Sequence, residues 1–279
     1  MILFVQNLRK NNWLKTTVAA ATFLVILGFV STGFATNFPH RKDFPTVPPI
    51  NSEELIKEYE AGNAVIVDVR SKIEFNVIHP KAAAHIPLSN VKFAKNVEKV
   101  AKKYPGKKLV FYCNGITCLK SYKATKKAMD AGIQNVYAYD AGIPEWASLF
   151  PEKTLLLGKE VVDPEKQIIP KSEFKKKCLS FGDFKGNSAS NGGVVIDVRD
   201  HIQRSKKLPG LEKAKTIPLD TFIPNFVQKK VNQDKHLYIF DQVGKQVRWL
   251  EYYLVENGYQ NYSFLKGGAT AVLKTQNYK

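Results

Sequence analysis

One pattern is written twice in this chain. Val65-Ile-Val-Asp68-Val-Arg70 returns as Val194-Val-Ile-Asp197-Val-Arg199, with Asp197 129 residues after Asp68. His85-Ile86-Pro87-Leu88 returns as Thr216-Ile217-Pro218-Leu219 at an offset of 131. Val110-Phe-Tyr112 returns as Tyr238-Ile-Phe240, and Asn135-Val-Tyr-Ala with Gly142 returns as Asn261-Tyr-Ser-Phe with Gly267-Gly268. An offset this long and this constant reads as a duplicated domain, because solenoid repeats have periods of about 20–50 residues. The 279 residues suit that reading, since a domain takes roughly 100–200 residues.

Each copy alternates strands with helices. In the first, Asn51-Ser52-Glu53-Glu54 is a helix-opening signature, and Gly62-Asn63 closes that helix. The apolar, β-branched run 64–69 predicts a buried strand of parallel type. A helix is expected over 91–104, ended by Pro105-Gly106. Strands follow at 109–112 and 136–139, with a helix over 119–131 between them, closed by Gly132. Such alternation implies a parallel sheet covered by helices on both faces. The expected fold class is therefore α/β, two tandem domains at 50–151 and 169–279. Residues 152–168 are mixed and charged and read as a linker. So do residues 36–49, with Pro39, Pro45, Pro48 and Pro49. Lys171-Ser-Glu-Phe174 predicts a helix leading into the second copy, with Cys178 on its face. The Gly-, Ser- and Asn-rich stretch 182–193 reads as a flexible loop.

Residues 1–35 read as a signal peptide or membrane anchor. Arg9, Lys10 and Lys15 precede an uncharged apolar run over 18–30, and Gly33-Phe-Ala35 offers small residues at a cleavage site. The run is short for a membrane span of about 20 residues, which favours cleavage. Yet no charge stands between Lys15 and Arg41, so anchoring through 16–35 stays open. Either way the charge order sends the folded part outward, to the periplasm or to the outer side of the inner membrane. The net charge of +17 fits a solvated lysine-rich surface, a small anionic substrate or an anionic membrane. The chain has no zinc-finger spacing or RNA-binding signature, which argues against nucleic acid. Three cysteines are too few for a disulfide scaffold.

The chemistry concentrates at Cys113, where the 109–112 strand ends and a tight loop with Gly115 leads into the next helix. Open α/β sheets place ligands at this point. Helix-start and loop N–H groups there form an anion cradle, which favours the thiolate and would also hold a persulfide. The alternative for Cys113 is a buried structural thiol.

With these residues on the page, a family resemblance is clear. Asp68-Val-Arg70 with Glu74-Phe75, Ile86-Pro87-Leu88, Cys113 with its Gly115 loop, and Gly142-Ile-Pro-Glu-Trp146 resemble a rhodanese-like (thiosulfate sulfurtransferase) domain, in that order and spacing. The resemblance implies that Cys113 is the nucleophile. It would take a sulfane sulfur from a small anionic donor such as thiosulfate and pass it to a thiol or cyanide. The backbone of Asn114, Gly115, Ile116, Thr117 and Cys118 would supply the cradle. No cofactor beyond the cysteine persulfide is implied. Phosphatases and arsenate reductases with related loops use Cys-x5-Arg; here the sixth residue after Cys113 is Leu119, and the loop holds no arginine.

Lys120, Lys123 and Lys127 share one helix face. Lys120 is the candidate for drawing in a dianion, although a solvated stripe is the commoner meaning of such a pattern. Cys118 has two readings, a resolving partner for a Cys113 persulfide or a filler of the loop, and the filler is preferred because family loops accept many residues there. His79 and His85 read as structural or exposed, without metal-ligand spacing, and Trp146 as packing for the Gly142 loop.

The second copy carries Asp241 where the first has Cys113. A carboxylate fills an anion cradle but cannot carry sulfane sulfur. This copy also lacks the acid-aromatic pair and the closing tryptophan, so it reads as degenerate, serving to pack, to complete a cleft or to bind a partner. Three functions therefore compete: an exported sulfurtransferase, a non-turnover sulfur carrier for an envelope protein partner, and a redox protein using Cys113 and Cys118.

Overall fold

A computed structural model describes residues 37–276. The signal or anchor expected over 1–35 lies outside the described residues. Among the described residues, no helix is long and apolar enough to cross a membrane. The described residues cluster as one compact unit.

In chain order the strands are β1 (Ala64–Asp68), β2 (Ile78–Pro80), β3 (Ala84–His85), β4 (Lys108–Tyr112), β5 (Val136–Tyr139), β6 (Thr154–Leu156), β7 (Lys159–Glu160), β8 (Cys178–Leu179), β9 (Val194–Asp197), β10 (Lys215–Thr216), β11 (Leu237–Phe240) and β12 (Tyr262–Leu265). Nine of them form two parallel sheets, β3-β1-β4-β5 and β10-β9-β11-β12-β8. The first four strands of the second sheet repeat the order of the first, as the duplicated pattern requires. Each centre is dry: Val67, Val110 and Phe111 are fully buried in one sheet, and Ile196, Leu237 and Ile239 in the other.

The helices follow the expected signals. Ser52–Glu60 starts on Asn51, whose side chain accepts the Glu54 amide at 2.8 Å. Phe93–Lys103 and Lys120–Asp130 occupy the expected stretches.

Four expectations are corrected. The stretch 182–193 is not a flexible loop: Phe181–Ser190 is a helix, the second copy's equivalent of Ser52–Glu60. Ser180 caps it by accepting the Asp183 amide, and Phe184 anchors it in the core. Composition was misleading because a cap and one buried aromatic offset weak helix formers. Cys178 is not on a helix face. It begins the edge strand β8 beside β12, after a helix that stops at Lys176. Third, residues 152–168 are more than a connector. β6 and β7 join β2 in an antiparallel sheet, and the helix Pro164–Gln167 follows. Fourth, residues 37–49 of the expected linker dock on the first copy. Val47 is buried, the Ile50 amide donates to the Ala138 carbonyl at 3.1 Å, and Arg41 pairs with the buried Asp140 at 2.7 Å.

The two halves share apolar core. Ile73, Val77 and Ile78 of the first cluster with Phe222, Trp249 and Leu250 of the second. The helices Lys72–Val77 and Val247–Glu256 pack against each other.

Each copy also buries its Asp-x-Arg motif as an ion pair. Arg70 grips Asp68 with Nε at 3.0 and 3.1 Å from the two carboxylate oxygens and Nη2 at 2.6 Å, and both side chains are fully buried. Arg199 repeats the grip on Asp197 with Nε at 2.9 and 3.1 Å and Nη2 at 2.7 Å. Breaking such a pair from one side strands a buried charge. Asp68→Ala is therefore expected to cost about 3–5 kcal/mol in equilibrium denaturation. A loss within experimental error would contradict the buried pairing.

Candidate active site

β4 delivers Cys113 to the carboxyl edge of the first sheet, where the residue is 1% exposed. The loop then runs 114–119 to the helix Lys120–Asp130. Two devices fix it. From one side, the Cys113 carbonyl accepts the Ile143 amide at 3.0 Å. This close approach needs Gly142, at φ +66°, where a Cβ would overlap the Cys113 carbonyl and the Gly115 amide. The second copy repeats it: the Asp241 carbonyl accepts the Ala269 amide at 2.9 Å, and Gly268 sits at φ +64° against Asp241 and Gly244.

From the other side, Arg70 reaches past Asp68 and donates Nη1 to Asn114 Oδ1 at 3.1 Å. Asn114 Nδ2 donates to Glu74, whose other oxygen accepts the Ser71 amide at 2.9 Å and the Ser71 hydroxyl at 2.6 Å. Burial opposes the charge on Glu74. Arg70, with Ser71 and Asn114, outweighs it and holds that carboxyl below its usual range. The acid that follows Asp-Val-Arg is thus a strut for the cysteine loop. In the second copy Arg199 instead turns Nη1 to the carbonyls of Gln203 and Lys206.

The second copy displays what this loop geometry does with an anion. Val243 and Gly244 amides donate to Asp241 Oδ1, the first at 3.0 Å. Gln246 and Val247 amides donate to Oδ2 at 2.6 and 3.2 Å. Four backbone donors at the start of a helix enclose one carboxylate. In the first copy the amides of Asn114, Gly115, Ile116 and Thr117 meet no protein acceptor among the described residues. Gly115 is buried, whereas Ile116, Thr117 and Lys120 are exposed.

Cys118 is the chief surprise. It does not merely fill the loop; it is disulfide-bonded to Cys113, with Cα atoms 6.4 Å apart. A turn from the Cys118 amide to the Gly115 carbonyl, at 2.8 Å, folds it back. Gly115 permits that turn with φ +103°.

The loop opens on a cleft of about 560 Å³ between the halves. Asn114, Thr117, Cys118 and Lys120 line it from the first copy. Lys171, Lys175, Lys245 and Arg248 line it from the chain that follows, beside Trp249. Five cations thus face a space whose one acid, Glu74, is already bonded. The Lys120 stripe divides: Lys120 faces the cleft, while the Lys127 ammonium lies 5.5 Å from the Phe93 ring. Trp249 also lies over the Arg70 guanidinium, at 5.6 Å. Sequence analysis missed these second-copy cations. Arg248 and Lys245 flank the loop matching the Cys113 loop, and this position was their available signal.

His79 and His85 are structural. Both stack on Phe75, and their ring nitrogens meet the carbonyls of Phe75 and Arg70. Trp146 is buried against Tyr59, Tyr139 and Phe150.

Residues 51–149 match the model of the rhodanese-like domain. Related curated proteins match over similar spans. The chain is 32% identical over 97 residues to the HTH-type transcriptional regulator Rv0324 of Mycobacterium tuberculosis, covering 35% of this chain and 40% of that protein. It is 28% identical over 95 residues to a thiosulfate:glutathione sulfurtransferase of Saccharomyces cerevisiae, covering 31% of this chain and 66% of that protein. The chain therefore spans less than two thirds of either relative's length. Among solved structures, a thiosulfate sulfurtransferase from Pseudomonas aeruginosa aligns over 83% of this chain and 45% of its own, at 19% identity and a TM-score of 0.35.

Burial pushes the third thiol, Cys178, up to about 11, and nearby Glu251 adds to the effect. With Cys113 and Cys118 paired and Cys178 free, thiol titration of the unfolded protein should find one free thiol per chain without reductant and three after reduction. Three free thiols in the untreated protein would contradict the Cys113–Cys118 bond.

Proposed function

We propose that the chain is a rhodanese-type sulfurtransferase. In its reduced form the Cys113 thiolate attacks the sulfane sulfur of a small anionic donor such as thiosulfate, and sulfite leaves with the bonding pair. The loop amides hold the resulting persulfide anion. A thiol or cyanide then takes the terminal sulfur and restores the thiolate. The observation that carries this reading is the contrast between the two loops. Four amides enclose the Asp241 carboxylate in one copy, and the other copy offers a cysteine where that carboxylate stands. The cationic cleft supports an anionic donor.

In this reading residues 169–279 are a degenerate second rhodanese-like domain, whose Lys245, Arg248 and Trp249 complete the cleft wall. Cys113 needs no cofactor beyond its own persulfide. The chain is exported and works in the periplasm, free or held to the inner membrane through residues 16–35. There a partner protein of the envelope can serve as acceptor.

The thiosulfate:cyanide reaction tests this with reduced wild-type protein and Cys113→Ser. Wild type should turn over and the variant should lose at least a hundredfold in rate, on the order expected when a nucleophile is removed. Equal rates in both would overturn the assignment.

A further inference from the structure

We propose that Cys118 resolves the persulfide on Cys113, so that the chain releases sulfide and is reset by an external dithiol. The inference rests on the reading of Cys113 as the sulfur acceptor and adds an activity to it.

The product of this step is present in the structure, as the Cys113–Cys118 disulfide. The loop forms it within its own turn. Gly115 at φ +103° and the Cys118-to-Gly115 bond bring the Cys118 carbonyl to 3.5 Å from Cys113 Sγ. The pair is also divided in access. Cys113 is buried, while Cys118 is half-buried and lines the cleft. Lys120, Lys245 and Arg248 line the same cleft, and their positive charge suits an anionic leaving group. The second copy loses both sulfurs together. It carries Asp241 and, five residues on, Gln246, matching the spacing of Cys113 and Cys118.

The chemistry balances without an added oxidant. Cys118 thiolate attacks Cys113 Sγ, the inner sulfur of the persulfide. The bond between Cys113 Sγ and the sulfane sulfur breaks, and its electron pair leaves with that sulfur, which takes one proton from solvent and departs as hydrosulfide. The two cysteine sulfurs are oxidised to a disulfide as the sulfane sulfur is reduced to sulfide. A dithiol then attacks the more accessible Cys118, forms a mixed disulfide and frees the Cys113 thiolate. Its second thiol releases Cys118, and the dithiol departs oxidised. Over the cycle, thiosulfate and a dithiol become sulfite, sulfide and a disulfide.

The test is a single turnover without oxygen. The full chain is reduced with dithiothreitol, freed of it, and mixed with thiosulfate; sulfite, sulfide and intact mass are then followed. Wild type should yield one sulfite and one sulfide per chain and finish two hydrogens lighter than the reduced protein. Cys118→Ser and Cys118→Ala should form sulfite, keep one added sulfur on Cys113 and release no sulfide. The inference is overturned if wild type keeps the sulfur on Cys113 beside a free Cys118, or moves it to Cys118, with sulfite but no sulfide. Those outcomes leave the sulfurtransferase reading standing. No sulfite and no added sulfur in wild type would overturn both. The wild-type result decides alone if neither variant folds.

Discussion

The Arg70 guanidinium is the point on which the site depends. It is fully buried and clasps Asp68 at the end of β1, the Ile78 carbonyl at the start of β2, and Asn114 beside the cysteine. Burial alone would oppose its charge; the Asp68 carboxylate outweighs that and raises its affinity for the proton. Buried ion pairs contribute little net stability on average, because desolvation offsets the attraction. The account of Arg70 is therefore geometric. Its rigid fork fixes a sheet edge, and through Asn114 and Glu74 it fixes the loop that carries the chemistry.

The two parallel sheets, which share a strand order, present two versions of the anchored loop. Both copies hold the loop by the same glycine device, Gly142 against Cys113 and Gly268 against Asp241. They differ in what fills the cradle. Asp241 fills it with its own side chain, which engages four backbone donors. The first copy places Cys113, bonded to Cys118, at the matching strand end. The second copy then contributes outside its own loop, by setting Lys245, Arg248 and Trp249 along the shared cleft. Cys118 adds a second sulfur, bonded to the first within one turn of chain.

Much of this was legible in the sequence, for identifiable reasons. β1, β4 and β5 are apolar runs bounded by turn residues, and Asn51 caps its helix with its own side chain. The cysteine at a strand end and the Asp241 replacement follow from counting residues along the repeat. What was hidden depends on contacts distant in sequence. Phe181–Ser190 is helical through a cap and one buried phenylalanine, which composition does not weigh. Cys178 joins a sheet edge because β12 offers a partner. The stretch 152–168 pairs with β2, more than seventy residues earlier. The cations facing the cysteine loop arrive from the other copy. The pairing of Cys118 with Cys113 depends on a positive-φ turn at Gly115, which spacing alone does not reveal.

The central claim is that backbone donors at the end of β4 favour an anionic sulfur at Cys113. The pH dependence of alkylation in the reduced protein tests it most directly, resolved by peptide mass with Cys178 as internal reference. The account predicts that Cys113 reacts as a thiolate at neutral pH, while Cys178, pushed up to about 11 by burial and Glu251, reacts only in alkali. A Cys113 profile that rises only alongside that of Cys178 would contradict it.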